Sequence, residues 1–159
     1  MDRWDDGSGP GPRRKQFWSE LLRRSRGRTP LFANFAPGPS TWLETRTGHP
    51  GAKYMYLLRN TSAQVVLWID RGKGSEAANK LLLDQLQARQ AEIERAFGGP
   101  LEWDRGPDTR RTAHIRYTLR RGGLHMEEHW PEIMDAMIDG LIRLEAALRE
   151  PLHDVLGRA

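Results

Sequence analysis

A strand that is apolar on both faces has one kind of place in a protein: the middle of a sheet, covered on each side. Residues 64–69, QVVLWI, read that way, with Val65, Leu67 and Ile69 on one face and Val66 and Trp68 on the other. The segment before it, Ala52–Leu58, has the same strand character, and RNTSA between the two carries the Asn and Ser chemistry of a reverse turn. A hairpin therefore anchors the fold, and everything else must supply its cover.

Helical spacing supplies the cover. Phe17 and Trp18 recur at Leu21 and Leu22, which predicts a short amphipathic helix over residues 14–24. After the hairpin, Ser75 stands where a cap belongs. Ala78, Leu82, Leu86, Ile93 and Phe97 then predict one long helix with Arg89 as the polar position in its stripe. Gly98 and Gly99 stop it in a left-handed turn, and Pro100 prevents continuation. Leu101 and Trp103 begin a further strand facing inward. Residues 114–120 form another, in which Ile115, Tyr117 and Leu119 alternate with His114, Arg116, Thr118 and Arg120 on an open face. Pro131 opens a last helix whose stripe runs through Trp130, Met134, Met137, Leu141, Leu144 and Leu148, and Pro151 ends or kinks it. Short connections favour antiparallel pairing. The fold class is thus α+β, a mainly antiparallel sheet of about five strands packed with three helices in the order α-β-β-β-α-β-β-α. Residues 31–51, preceded by Pro30 and punctuated by Pro37, Pro39 and Pro50, suit short strands and turns.

The first twelve residues hold three glycines and two prolines without periodicity, so residues 1–12 read as a disordered tail and 13–159 as a single domain. No apolar stretch approaches the roughly 20 residues of a membrane span, and the N-terminus lacks the apolar region of a secretory signal. With no cysteine in 159 residues there is no disulfide framework, and a cytoplasmic home without membrane contact is the expectation.

The net charge of +4 conceals an uneven distribution. Residues 13–28 hold seven bases and only Glu20, net +6, while residues 105–121 hold six arginines and only Asp108, net +5, leaving −7 for the rest. Two basic patches on an otherwise acidic chain point to an anionic partner, most plausibly DNA or RNA, with solvation as the bland alternative. Arg105, Arg110, Arg111, Arg116, Arg120 and Arg121 are the candidate phosphate contacts. Aromatics beside them would stack bases, and Tyr54 and Tyr56 on one face of the first hairpin strand are the candidates. Trp18, Trp42, Trp68, Trp103 and Trp130 fall at element starts or inward positions and read as mainly structural.

Templates for chemistry are missing. The chain has no phosphate-binding glycine loop, zinc-protease helix or serine-hydrolase elbow. His125 and His129 are four apart, a spacing that suits a metal only on a continuous helix with further ligands, so no metal and no cofactor are assigned. Asp70 at a strand exit, with Lys73 and Glu44 or Glu94, could be cast as a magnesium nuclease, but Asp and Gly are expected at such an exit anyway. No catalytic residue is identified.

The runs RKQFWSELL, TWLETRTG, AQVVLWIDRG, IERAFGGPLEWDR and HWPEIMDAMIDGLIRLEAAL, in that order, resemble the bacterial and archaeal family catalogued as domain of unknown function 4268, over about residues 14 to 150. The resemblance implies no established activity. Family members look like free-standing small proteins or C-terminal modules on nuclease-like domains, which implies a DNA-related or defence-related setting. Members often carry a glutamate where Val66 stands here, so an acid at that position is not needed by this chain. The reading from sequence is a non-enzymatic module that binds nucleic acid or another anion. The alternatives are an interaction partner of a nuclease or effector, through Ile138 and Ile142 on the last helix, and a small metal-dependent nuclease.

Overall fold

The computed structural model describes residues 10–33, 35–120 and 122–157. In chain order the elements are α1 (Pro10–Ser25), β1 (Trp42–Arg46), β2 (Ala52–Leu58), β3 (Ala63–Ile69), α2 (Glu76–Gln87), α3 (Gln90–Phe97), β4 (Glu102–Asp104), β5 (Ala113–Leu119), a 3-10 turn (Glu127–His129) and α4 (Trp130–Leu156). The strands form one five-stranded antiparallel sheet in the order β1-β2-β3-β5-β4. β3 is its central strand, and Val65, Val66, Leu67 and Ile69 are all buried, as a strand apolar on both faces requires. β4 pairs with β5 through Glu102 with Arg116, Trp103 with Ile115 and Asp104 with His114.

The α+β class and the element order hold, with four α-helices in place of three. The predicted long helix breaks at Ala88 and Arg89. Arg89 leaves helical geometry (φ −109°, ψ 25°), and its guanidinium holds Glu92 at 2.7 Å and Asp154 at 2.8 Å. A polar residue inside an apolar stripe is thereby turned outward while Leu86 and Ile93 on either side stay buried. Ser75 occupies the N-cap position without capping: its hydroxyl donates to the Gly72 carbonyl and accepts from the Asn79 amide. Gly98 ends α3 at φ 96°, the left-handed stop expected of FGGP.

Three boundaries differ instructively. Residues 10–12, assigned to a tail, form the first turn of α1, where proline needs no hydrogen-bonded N–H; the rest of that tail, 1–9, lies outside the described residues. α4 begins at Trp130 and passes through Pro151 to Leu156, with Leu152 buried beyond the proline. Tyr54 and Tyr56, candidates for base stacking, are 2% and 0% exposed and belong to the core, whereas Trp42 is 47% exposed.

The chain divides into two compact units. One takes the chain up to Thr45, Tyr56–Gln64 and Thr118–Asp139; the other takes Arg46–Met55, Val65–Tyr117 and the chain from Gly140 onward. In the first, aromatic rings make the core. Phe17 meets Trp130 edge-on at 5.2 Å, Trp18 stacks on Tyr56 at 6.2 Å, and Tyr56 stacks on Phe32 at 4.9 Å. The Trp18 indole donates to the Ser40 carbonyl at 2.8 Å, which fixes α1 to the segment before β1. Gly123 packs directly on the β2–β3 turn, where Leu124 N–H donates to the Arg59 carbonyl and His125 N–H to that of Asn60. In the second, α3 closes on β4 and β5: Phe97 lies edge-on to Tyr117 at 5.1 Å, and Arg143 donates to the Phe97 carbonyl at 2.8 Å while covering both rings.

Candidate anion-binding surfaces

The arginine-rich segment in the second unit is a set of staples. Arg111 grips both carboxylate oxygens of Asp70 at 2.8 Å, a fork that fits a carboxylate two-to-two. Arg110 reaches both oxygens of Asp104, at 3.0 and 3.2 Å, and donates from Nε to the Thr112 carbonyl. Arg116 joins the same Asp104 at 3.0 Å, and Arg105 pairs with Asp84 at 3.1 Å. The positive charge counted along 105–121 is therefore offset by Asp70, Asp84 and Asp104. Arg120 is exposed, with no carboxylate partner among the described residues, and Arg121 lies outside them.

Beneath these pairs the loop is pinned from α2. The Asn79 side chain, fully buried, donates to the Arg111 carbonyl at 3.0 Å and accepts from the Arg71 amide. Lys80, 4% exposed as a residue, donates from its ammonium to the carbonyls of Arg105 and Thr112. Burial, then the charges of Arg110 and Arg105, push the Lys80 pKa down. His114 stacks on Trp68 at 4.1 Å and is held at about pKa 4 by burial and by Arg110, with Asp104 acting the other way.

The carboxylates weighed for catalysis are engaged. Burial acts upward on Asp70, but the Arg111 hydrogen bond, the Gly72 amide and the Arg111 and Lys53 charges outweigh it and hold the carboxyl below its ordinary range. Glu94 Oε2 accepts from the Leu101 amide, the Trp103 indole and the Gln90 amide. His125 precedes the 3-10 turn and His129 lies in it, so they do not share a continuous helix. Among the described residues no group of three or more His, Asp or Glu could hold a metal ion. Ile138 is fully buried and Ile142 half-buried, so this stretch of α4 faces the core.

The other basic segment keeps its charge. Among the described residues Glu20 pairs with Arg23 and with Arg24, and Asp135 lies 3.3 Å from Arg24 and 3.4 Å from Arg28. Lys15 and Arg26 are exposed, with no carboxylate partner among the described residues. At the end of α1 the chain turns through Gly27 (φ 82°) and walls a cleft of about 420 Å³, lined by Leu22, Arg26, Arg28, Phe32 and Phe35 among others. Two aromatics three apart in LFANF, two residues after SRGR, were the sequence signal for this cleft; without periodicity they read only as loop.

A five-stranded antiparallel sheet packed with four α-helices defines an α+β domain. The chain belongs to the family described as Domain of unknown function (DUF4268), whose model matches residues 13–152. No curated protein and no solved structure matches it. No helix among the described residues is long and apolar enough to cross a membrane.

Proposed function

We propose that this chain is a non-enzymatic module that binds nucleic acid in the cytoplasm, using the bases of α1 and the turn after it against the phosphate backbone. One observation carries the reading: among the described residues the ion pairs of the seven bases between residues 13 and 28 go to Glu20 and Asp135 and leave Lys15 and Arg26 exposed, whereas Arg105, Arg110, Arg111 and Arg116 are each held by a carboxylate. Unpaired, exposed bases retain the field that phosphates need, and they fix position without reading sequence. Arg120 is the residue of the second basic segment that adds to this, and the paired Arg110, Arg111 and Arg116 serve mainly as structure. The DNA-related or defence-related setting implied by the family resemblance is compatible with such a role. A protein partner is the second reading, favoured by Trp42, 47% exposed on the edge strand β1.

Fluorescence anisotropy with labelled single-stranded and duplex DNA, between about 50 and 200 mM salt, tests the first reading. The combined Lys15→Ala, Arg26→Ala, Arg28→Ala variant is expected to weaken binding and flatten the salt slope by roughly 2–3. Arg110→Ala, Arg111→Ala and Arg120→Ala together should change the slope by no more than about one. Loss of binding only in the second variant would move the contact to the β4–β5 loop, and no binding by the unaltered protein at low salt would overturn the reading.

A further inference from the structure

The cleft at the end of α1 offers more than charge. Phe35 stands 41% exposed at its mouth and meets Phe32 edge-on at 5.4 Å. Phe32 stacks on Tyr56, and Tyr56 on Trp18, so the exposed ring rests on a tier of buried ones. Phe32 itself is held at φ 64°, a left-handed conformation that bulky side chains rarely adopt and that persists only where surrounding contacts impose it. Turns do this: Phe35 N–H donates to the Phe32 carbonyl, Ala33 N–H to that of Pro30, and Leu31 N–H to the Thr29 hydroxyl. Below Phe32 the Tyr56 hydroxyl is buried with no hydrogen-bond partner among the described residues; burial pushes its pKa up, with the Arg28 charge acting the other way. Arg26 and Arg28 line the same cleft.

We infer that this cleft takes one base and its adjoining phosphate from a single-stranded nucleic acid, the base against Phe35 and the phosphate between Arg26 and Arg28. The inference rests on the proposed function and narrows it. A volume of about 420 Å³ is of the size that holds a small ligand. Base stacking on an aromatic ring is indifferent to sequence, and the flanking guanidiniums match the charge that accompanies each base. A duplex keeps its bases stacked within itself and presents only phosphates here.

The test uses the full chain with three labelled probes: an oligothymidylate of about ten nucleotides, an abasic strand of the same length, and a duplex, a length within the site size of single-strand binders. The unaltered protein is expected to bind the thymidylate roughly tenfold more tightly than the abasic strand. Phe35→Ala should remove that difference and leave abasic binding unchanged, while Phe35→Trp restores it; Phe35 is exposed, so neither change threatens folding. Arg26→Gln should weaken all three probes. Equal affinity for thymidylate and abasic strands in the unaltered protein, or a Phe35→Ala variant that keeps the difference, overturns the cleft assignment while the nucleic-acid reading stands. No binding of any probe overturns both.

Discussion

Replacing Glu94 by alanine removes the carboxylate and strands the three donors that its Oε2 accepts from. Oε2 accepts from the Trp103 indole at 2.9 Å, the Leu101 amide at 3.0 Å and the Gln90 amide at 3.2 Å, tying the last turns of α3 to the chain that enters β4. Gln90 is half-buried and finds water after the change, so two donors matter. Leu101 is 8% exposed and the Trp103 indole is half-buried. Hydrogen bonds to a charged group contribute about 1.5–3 kcal/mol each when buried; discounted for the partial exposure, the pair amounts to about 2–3 kcal/mol. In a chain of this size that corresponds to a fall in Tm of about 5–10 °C. Urea unfolding followed by tryptophan fluorescence measures the loss directly. Glu94→Gln keeps an acceptor oxygen in place and should lose about half as much.

The same site sets a pH signature. The Leu101 amide first, then the Trp103 indole, hold the Glu94 carboxyl below its ordinary value despite burial. A depressed folded-state pKa contributes stability that is fully present above the unfolded value and is lost as pH falls through the folded one. Glu94→Gln should lack that part of the acid limb. An alanine variant within about 0.5 kcal/mol of the unaltered protein would refute this account of how α3 and β4 are joined.

Two further outcomes follow from packing and charge. Gly123→Ala would place a methyl group against the Arg59 carbonyl and 2.7 Å from the Ser62 nitrogen, backbone atoms of the hairpin turn that cannot swing aside, so it should destabilise by roughly 1–3 kcal/mol; a neutral result in the urea assay would contradict the close approach. His114 should titrate by NMR near pH 4, and because the unfolded chain takes up that proton near 6.5, stability is untouched above that value and falls as pH drops between the two; a midpoint at or above 6.5 would contradict the buried stack on Trp68.

What was readable in the sequence shared one property: it depended on residues a few positions apart. Val65 to Ile69 named their own place because alternation is a local signal, and Gly98 ended a helix by its own backbone preference. The break at Arg89 escaped, since its cause includes Asp154, 65 residues away. The pairing within the arginine cluster escaped for the same reason. Its neutralising partners Asp70 and Asp84 lie 41 and 21 residues upstream, so a charge count along 105–121 cannot include them. Tyr56 looked like a stacking residue because exposure depends on what lies over a strand, and what lies over it is Phe32 from a stretch with no periodicity.

The grip of Asn79 and Lys80 on the backbone carbonyls of Arg105, Arg111 and Thr112 also bears on how the protein can be handled. A proline- and glycine-bearing loop such as DRGPDTRR would ordinarily be the first choice for inserting an epitope, a fluorophore or a split point. Here lengthening it would pull carbonyls off two side chains buried at the start of α2 and leave a lysine without acceptors. The β2–β3 turn around Arg59, Asn60 and Ser62 is closed by Gly123 as well, so grafts are better placed near Gly38, where an added side-chain atom would meet nothing within 4 Å.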